Sequence, residues 1–244
     1  MKAEIRQTPY DTLDHFLEAA GQRTPVLPKD EFIVEVCRGK NVLDMGCIDH
    51  SWETAVSLGE NWLHHRISKA AKSVVGLDLL AEDAKILNQR GYNIKAGNAE
   101  SFDLGQTFDV LVAGDLIEHL SDIGSFLRSV RKHMRPDSLF VVTTPNPFNV
   151  EQMLRILARN RVAVHAQHTA WLDPAVAWEL FRRSNMEIVD FRWVDTRFKM
   201  GKNYGPRVQA LVAAPLTVAM WLRPLLRRDF GLVLRPAPNG AGPH

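Results

Sequence analysis

Two predicted strand ends carry residues of the types that hold a nucleoside. The run VLDMGC, from Val42 to Cys47, is typical of a strand that stops at a glycine turn, and the run VVGLDLL contains Asp78 at the end of a second strand. Gly46 lets the backbone approach a ligand closely, and Asp44 supplies a carboxylate that can hold an ammonium group. Asp78 can accept hydrogen bonds from both hydroxyls of a ribose. The order of these signals predicts a ribose-containing cofactor beyond the carboxyl ends of the strands.

The turn after the first strand lacks the glycines of a pyrophosphate-binding loop. Gly46 is its single glycine, and Cys47, Ile48, Asp49 and His50 follow it. A pyrophosphate must press against the backbone and a helix N-terminus, and Asp49 brings negative charge to that place. The pattern disfavours a dinucleotide and favours a cofactor with adenine and ribose but no phosphate, such as S-adenosylmethionine. The roles of Asp49 and His50 stay open.

A second group of polar residues follows FDVLVAGDL, the fourth predicted strand. Glu118 and His119 come three and four positions after Asp115, a spacing that brings side chains to one side of a helical turn. If the cofactor delivers a methyl group to a hydroxyl, the transfer requires in-line positioning and removal of the proton, and a base contributes about 10²- to 10⁴-fold. His119, whose unperturbed pKa lies near neutrality, is the candidate base, with Asp115 beside it. The alternative is that Glu118 and His119 only tie this turn to neighbouring backbone.

Other polar and aromatic residues could shape an acceptor pocket. His168 and Trp171 precede a helix that starts at Pro174, and they could contact a ring-shaped substrate; Trp171 could equally pack against that helix. One of the pair His64 and His65 could face the site, and spacing does not choose between them. The end of the fifth strand places small polar side chains at the rim, namely Thr143, Thr144 and Asn146.

The elements that would position these residues alternate between strand and helix patterns. We predict seven strands, at NVLDMG, SVVGLDLL, YNIKAGN, FDVLVAGDL, SLFVVTTP, MEIVDFRWVD and FGLVLRP. Residues 51–72 are predicted to be helical, and two short helices precede the first strand. Strands that alternate with helices form βαβ units, so the sequence predicts an α/β fold with a parallel sheet and helices on both faces.

The composition is that of one ordinary globular domain. Of the 244 residues, 45% are hydrophobic and 24% are charged, which is enough to bury a substantial core. The first residues, MKAEIRQTPYD, are polar and predict neither a secretory signal nor a membrane anchor. Two cysteines, Cys37 and Cys47, offer no disulfide framework and no metal-ligand spacing. These features predict a cytoplasmic protein.

Charge is unevenly distributed along the chain. Residues 197–244 carry eight Lys and Arg against one Asp, whereas the rest carries 22 basic against 27 acidic residues. The same segment contains the apolar run LVAAPLTVAMWL, which includes Pro215 and is well short of the ~20 residues that span a bilayer. Such a segment can lie on an anionic membrane surface or pack on the body of the protein. No stripe of basic and aromatic residues surrounds the predicted pocket, so we do not expect nucleic acid as a partner.

The ordered set of motifs resembles the class I S-adenosylmethionine-dependent methyltransferases, and within them the small-molecule group that includes ubiquinone-biosynthesis O-methyltransferases and glycan-modifying enzymes. The resemblance covers roughly residues 40 to 195. It rests on VLDMGC, VVGLDLL, AGNAESF, FDVLVAGDLIEHL, MRPDSLFVVTTPNPF and HTAWLDPAVAWELF. It implies a Rossmann-like seven-stranded sheet of order 3-2-1-4-5-7-6 with an antiparallel last strand. It also implies a helical cap at 1–40 and a methyltransferase domain at 41–244, with a basic, apolar helical insertion at 197–229.

The resemblance also implies roles for individual residues. Asp44, Gly46 and Cys47 would line the methionine portion of the cofactor. Asp78 would bind the ribose, with Leu79 packed beside the adenine. Asn98 and Ala99 would face the adenine amine, at a position where aspartate is commoner than asparagine. Ala113, Gly114 and Asp115 would form the floor under the methionine.

In the ubiquinone-type enzymes, a trio of carboxylate, glutamate and histidine resembles a divalent-metal site. Asp115, Glu118 and His119 match that trio, but Asp115 is shorter than the usual glutamate. We therefore expect no metal at these three residues.

The leading function is methyl transfer from S-adenosylmethionine to a small-molecule or lipid-linked acceptor, with an oxygen of a glycan or related metabolite favoured. One alternative is a ubiquinone-type phenol O-methyltransferase at a membrane surface, which the basic insertion would contact. Two others are an NAD-dependent oxidoreductase, which shares Asp78 but needs the absent glycine loop, and a non-catalytic S-adenosylmethionine-binding module.

Overall fold

A computed structural model of the chain describes residue 6 and residues 8–163, 165–194 and 206–238, with the backbone alone for 206–212. Part of the predicted insertion, 197–205, and the end of the C-terminal tail lie outside the described residues. Everything that the sequence places in the cofactor and acceptor sites lies within them.

Seven strands form one sheet in the order β3-β2-β1-β4-β5-β7-β6. Their bounds are β1 Asn41–Met45, β2 Ser73–Asp78, β3 Ile94–Ala96, β4 Phe108–Gly114, β5 Met134–Pro145, β6 Met186–Val194 and β7 Asp229–Pro236. The first five strands pair in parallel, and β7 is antiparallel to both β5 and β6. The predicted fold class, strand order and antiparallel last strand are therefore confirmed.

Nine α-helices accompany the sheet within the described residues. They are α1 Leu13–Gly21, α2 Lys29–Cys37, α3 Trp52–Leu58, α4 Leu63–Ala70, α5 Ala81–Gln89, α6 Ile123–Lys132, α7 Val150–Arg159, α8 Pro174–Arg183 and α9 Pro206–Leu222. Asp173 caps α8 by accepting hydrogen bonds from two backbone N–H groups, with Pro174 at the first helical position as predicted.

The helices cover both faces because the central strands are buried on both sides. Alternate residues of β1 and β4 enter different core layers: Leu43 and Leu111 pack with α1, α6 and α8, whereas Val42 and Val110 pack with α2 and α4. A smaller third cluster joins α3 and α5 to the turn after β1. Such two-sided burial leaves the carboxyl ends of the strands as the open edge of the sheet.

Residues 51–72 were predicted to form one helix, and this prediction is wrong for residues 59–62. The chain forms α3 and α4, separated by a short 3₁₀ turn at Gly59–Asn61 and an extended residue, Trp62. Gly59 has a φ of 52°, a left-handed conformation that interrupts an α-helix. The break lets the Trp62 indole donate a hydrogen bond to the Cys47 carbonyl oxygen at 2.8 Å.

The insertion between β6 and β7 is anchored at its C-terminal end. The Asn146 side-chain amide donates hydrogen bonds to the carbonyl oxygens of Leu225, at 2.8 Å, and Arg227, at 2.7 Å. The buried Arg227 guanidinium donates to the carbonyl oxygens of Met220 and Thr24. This end therefore packs on the body of the protein. Among the described residues, no helix has the length and apolar character needed to cross a membrane.

Gly231 of β7 lies where α2 packs on the sheet. A methyl group there would lie 2.5 Å from Cε1 of the buried Phe32 ring. We expect Gly231→Ala to lower the free energy of unfolding by about 1 to 3 kcal/mol, because the ring must leave its packed position. Chemical denaturation with a conserved m-value measures this loss.

Gly21→Ala is the matched control for that measurement. Gly21 ends α1, has an ordinary φ, and an added methyl group would meet nothing within 4 Å. We expect its effect to stay within about 0.5 kcal/mol. Equal stabilities of the two variants would contradict the packing at Phe32.

Candidate active site

A cavity of about 780 Å³ opens at the carboxyl ends of β1, β2 and β4. It brings together seven of the residues predicted to bind cofactor or act in catalysis: Asp44, Gly46, Cys47, Asp78, Gly114, Asp115 and His119. Leu79, Asn98 and Ala99 do not line it. Leu79 is 70% exposed beside Asp78, as a residue that packs on a ligand at the mouth would be.

The turn after β1 requires glycine at position 46. Gly46 has a φ of 68°, and a Cβ atom there would lie 2.9 Å from Cδ1 of Leu116. Its backbone N–H donates to the Leu77 carbonyl oxygen at 2.8 Å. Any side chain would both strain the backbone and fill the space between β1 and the turn after β4. Gly46 also lines the cavity, so its backbone is placed where a ligand could approach it closely.

Asp44 has a buried partner that the sequence did not indicate. Nδ1 of His64 lies 2.8 Å from Oδ2 of Asp44, and both side chains are almost completely buried. Nε2 of His64 has no partner within the described residues. His64 is therefore the member of the His64–His65 pair that faces the site, whereas His65 contacts the Tyr92 hydroxyl instead.

Cys47 presents a neutral thiol to the same end of the cavity. Burial, followed by the charges of Asp44 and Asp78, raises the pKa of its thiol far above the ordinary value. A thiol in this state is a small apolar group rather than a nucleophile. Cys47 therefore contributes shape to the wall, in keeping with a role in lining a cofactor.

Asp78 holds the turn after β1 and the turn after β2. Its two carboxylate oxygens accept the backbone N–H groups of Ile48, at 2.8 Å, and Leu80, at 3.1 Å. Burial raises the pKa of Asp78, and these hydrogen bonds oppose the shift. Each oxygen keeps a lone pair, so the carboxylate can still accept hydrogen bonds from two ribose hydroxyls.

Asn98 uses its amide oxygen within its own turn. Oδ1 accepts the backbone N–H of Glu100 at 2.9 Å and caps the 3₁₀ turn at Ala99–Ser101. The predicted hydrogen bond from an adenine amine would share that oxygen. The cap needs a short side chain with an acceptor oxygen, which asparagine and aspartate both provide.

The turn after β4 differs from the predicted helical turn. Asp115 has a φ of 50°, in the left-handed region, and only Ile117–His119 form a single 3₁₀ turn. Thr143 sustains this conformation: its carbonyl oxygen and hydroxyl both accept from the Asp115 N–H, and the hydroxyl donates to Oδ1 of Asp115 at 2.8 Å. The side chains still converge, but the left-handed residue turns the chain towards the cavity.

Lys29 completes the surroundings of Asp115. The Lys29 ammonium, at the start of α2, forms an ion pair and a hydrogen bond with Oδ2 of Asp115. Burial lowers the pKa of Lys29, but the charge of Asp115 and this hydrogen bond outweigh burial, and the pKa is raised overall. Lys29 therefore stays protonated, and α2 is tied across the cavity to the end of β4.

Glu118 is buried with one oxygen unpaired. The Thr144 hydroxyl donates to Oε2 at 3.1 Å, whereas Oε1 has no partner within the described residues. Burial, followed by the charge of Asp115, raises the pKa of Glu118 to about 8. The carboxyl group is thus largely protonated at neutral pH and can donate a hydrogen bond.

Thr143 and Thr144 do not line the rim as predicted. Both are buried, and each hydroxyl bonds a carboxylate of the turn after β4. Asn146 is also buried and holds the insertion, as described above. Their polar groups point to neighbouring chain segments because buried hydroxyls and amides must find partners.

Three histidines form the far wall of the cavity. The ring centroid of His119 lies 4.7 Å from that of His168 and 5.9 Å from that of His165. Burial is the main cause that lowers the pKa of both His119 and His168. The sequence singled out His119 and His168 but not His165. Asp49 and His50 also line the cavity, with Nε2 of His50 3.4 Å from Oδ1 of Asp49.

The residues present suit S-adenosylmethionine. Asp44, Asp49 and Asp78 place carboxylates at the end of the cavity below β1 and β2. Carboxylates attract an ammonium or sulfonium and accept hydroxyl hydrogen bonds, but they repel a pyrophosphate. This donor set agrees with the close backbone approach at Gly46.

Comparison with known sequences agrees with this site. A family described as a methyltransferase domain matches residues 12–190, and the chain belongs to that family. It is similar to a probable S-adenosylmethionine-dependent methyltransferase of Mycolicibacterium smegmatis, with 25% identity, over 89% of this chain and 86% of that protein. It is also similar to the ubiquinone biosynthesis O-methyltransferase of Rhizobium etli, with 25% identity, over 72% of this chain and 74% of the relative.

Solved structures show the same fold. A methyltransferase from Archaeoglobus fulgidus superposes with a TM-score of 0.53 at 14% identity, over 84% of this chain and 90% of that one. The O-methyltransferase of a polyketide multienzyme from Brevibacillus brevis, solved with S-adenosyl-L-homocysteine, gives 0.52 at 15% identity, over 86% and 72%. The protein is therefore a class I S-adenosylmethionine-dependent methyltransferase, and the alternative of an NAD-dependent oxidoreductase is set aside.

Asp78→Asn tests the assignment of the ribose position. Replacing one carboxylate oxygen with an amide removes an acceptor and introduces a donor. We expect the Kd for S-adenosylmethionine to rise about 10- to 100-fold, which corresponds to ~1 to 3 kcal/mol. Isothermal titration calorimetry measures the change.

Asp83→Asn is its control. Asp83 accepts the backbone N–H of Trp52 at 2.7 Å and so holds the same region, but it does not line the cavity. We expect its Kd to stay within about twofold of wild type, which follows if Asp83 acts only on the backbone. A similar loss of affinity in both variants would show that Asp78 serves the loop rather than the ligand.

Proposed function

We propose that the protein transfers a methyl group to a hydroxyl oxygen of a polar small molecule, such as a glycan or a related metabolite. The observation that carries this proposal is the continuity of one cavity. It runs from the carboxylates at Asp44 and Asp78 to the hydrogen-bonding wall at Glu118 and His119. S-adenosylmethionine supplies, when bound, an electrophilic methyl group on a sulfonium. The rest of the chemistry falls to positioning and to proton removal.

The cofactor end of the cavity would be held by the residues assigned above. Asp44, oriented by His64, would bind the methionine ammonium, and Gly46 and Cys47 would lie against the methionine portion of the cofactor. Asp78 would bind the ribose hydroxyls, and Leu79, Asn98 and Ala99 would surround the adenine. Gly114 and Asp115 would form the floor between the methionine and the acceptor.

The acceptor end has groups for both recognition and proton transfer. His119 would take the proton of the acceptor hydroxyl through a ring nitrogen. Glu118 offers its unpaired Oε1 to a second polar group of the acceptor. Asp115 is engaged by Lys29 and Thr143. It would therefore hold the turn after β4 in place and would not accept a proton.

Named relatives support oxygen as the acceptor atom. Several are ubiquinone biosynthesis O-methyltransferases, and one solved neighbour is an O-methyltransferase of a polyketide multienzyme. The polar character of the wall, with three histidines and Glu118, favours a hydroxylated acceptor over an apolar one.

A lipid-linked acceptor is a second candidate, supported by exposed apolar side chains near the end of α9. Val218 and Leu222 are exposed and four residues apart, so they lie on one side of the helix. Trp221 and Leu225 are also exposed, and Arg223 lies between them in sequence. Apolar and basic groups together favour contact with an anionic membrane surface.

His119→Gln tests the proposed proton acceptor. We expect methyl transfer to fall about 10²- to 10⁴-fold while the affinity for S-adenosylmethionine stays close to wild type. The assay follows S-adenosylhomocysteine release with a panel of methyl glycosides, dihydroxybenzoates and primary amines. Nuclear magnetic resonance of the product identifies the methylated atom.

His15→Gln is the matched control, because His15 lies on α1 and does not line the cavity. Its turnover should equal that of wild type. A product methylated at nitrogen, or full turnover by His119→Gln, would count against a base-assisted transfer to oxygen.

The membrane contact is tested by sedimentation with vesicles of phosphatidylglycerol and phosphatidylcholine. We expect Val218→Ser/Leu222→Ser to bind at least about tenfold more weakly than wild type, since each side chain contributes ~1.5 kcal/mol or more when buried. Val56→Ser, on the exposed side of α3, is the control and should sediment as wild type does. Equal sedimentation of all three proteins would remove the lipid-linked acceptor from consideration.

A further inference from the structure

The three histidines of the far wall are held together by the backbone as well as by their own contacts. The Glu118 carbonyl oxygen accepts the N–H groups of Thr169, at 2.8 Å, and Ala170, at 3.2 Å. The Thr169 hydroxyl donates to the Leu120 carbonyl oxygen at 2.7 Å. These bonds fix the segment that carries His168 against the turn that carries His119. A hydrogen bond from the His168 N–H to the His165 carbonyl oxygen, at 3.0 Å, closes the turn between those two residues.

The geometry points to a divalent-cation site formed by His119, His165 and His168. One ring nitrogen from each residue lies within 4.8 Å of the other two. Three atoms at that spacing share a centre no more than about 2.8 Å from each, so a movement of at most about 0.8 Å would bring each to the 2.0–2.1 Å of a zinc–imidazole bond. Rotation of the side chains supplies such a movement without a change of the backbone.

The donor set selects the class of cation. Three imidazoles suit Zn²⁺ and similar ions such as Co²⁺ or Ni²⁺, whereas Mg²⁺ and Ca²⁺ prefer oxygen ligands. Within the described residues, no carboxylate oxygen joins the three imidazole nitrogens at that spacing, and Asp115 is engaged by Lys29 and Thr143. This site shares His119 with the trio of Asp115, Glu118 and His119, which resembles the metal site of the ubiquinone-type enzymes but at which the short Asp115 led us to expect no metal, and its other two ligands are different.

One backbone contact and the exposure of the rings bear on access to the site. The Gln167 N–H lies 3.4 Å from Nδ1 of His165, a long contact that a metal bond at that nitrogen would replace. His165 is exposed and His119 and His168 are half-buried, so an ion can enter from solvent.

The site has an open side. All three residues line the large cavity, and three protein ligands leave a fourth position for a water or a substrate oxygen. The role that follows rests on the proposed function: an acceptor hydroxyl at that position would become more acidic, since a bound cation stabilises the anion left by proton loss. His119 would then hold the cation, and the proton of the hydroxyl would pass to water in the open cavity, so loss of His119 would impair proton removal in either case.

Zinc titration of protein prepared without a polyhistidine tag and freed of metal with EDTA tests the site. We expect wild type to bind one Zn²⁺ and His165→Gln to bind it at least about 100-fold more weakly, because a direct ligand is lost. His165 is exposed, so this variant should fold, which thermal unfolding checks. His168→Gln should weaken binding as much, and His15→Gln should bind as wild type does.

Co²⁺ gives a second readout. Visible absorption of the Co²⁺ complex should report a nitrogen-rich site of low coordination number in wild type, and His165→Gln should lose that spectrum. Absence of Zn²⁺ uptake by wild type, or equal uptake by wild type and His165→Gln, would overturn the cation site.

The two proposals fail separately. Metal uptake is measured without cofactor or acceptor, so a protein that binds Zn²⁺ at the three histidines but methylates nitrogen would contradict only the proposed function. Transfer to oxygen by a protein that binds no Zn²⁺ would contradict only the cation site.

Discussion

The left-handed backbone of Asp115 is the constraint on which the acceptor side of the cavity depends. A residue other than glycine seldom adopts this conformation; aspartate does so more readily than most, because its short side chain can bond locally, and its surroundings help to hold it there. Here Thr143 bonds both the backbone and the side chain of Asp115, and Lys29 neutralises the second carboxylate oxygen. Because the chain turns at this residue, Glu118 and His119 reach the cavity instead of continuing along the sheet edge. The ion pair with Lys29 and the hydrogen bonds with Thr143 thus join α2, the end of β4 and β5 at the same point.

Burial controls the charges around that turn. The pKa of Glu118 is raised and that of His119 is lowered, each mainly because water is excluded. Both groups are therefore largely neutral near pH 7, next to the charged pair of Asp115 and Lys29. A wall of neutral donors and acceptors suits a neutral hydroxylated molecule. At the other end of the cavity, the carboxylates suit a cationic cofactor.

The sheet could be predicted from the sequence because its information is local. Apolar runs, strand-ending glycines and the cap at Asp173 identify the elements, and the resemblance of the ordered motifs provides the strand order. The partners of the polar residues could not be predicted, since Asp44 meets His64 and Asp115 meets Lys29 across 20 and 86 positions of sequence. The local pattern predicted the wrong structure at two places. The apolar period across residues 51–72 predicted one helix, but the helix is interrupted at Gly59, and the spacing after Asp115 predicted a helical turn, but Asp115 has a left-handed backbone. His165 could not be singled out from local sequence, because its possible role as a ligand depends only on its closeness in space to His119 and His168.

The anchor at Asn146 has a consequence for the history and engineering of this fold. By binding the carbonyl oxygens of Leu225 and Arg227, it fixes the chain immediately before Arg228 and Asp229, which line the cavity from the start of β7. The connection that precedes the anchor can therefore vary in length and composition while the wall stays in place. Changes in the part of the segment before Met220, whose carbonyl oxygen bonds Arg227, should therefore leave this wall of the cavity in place.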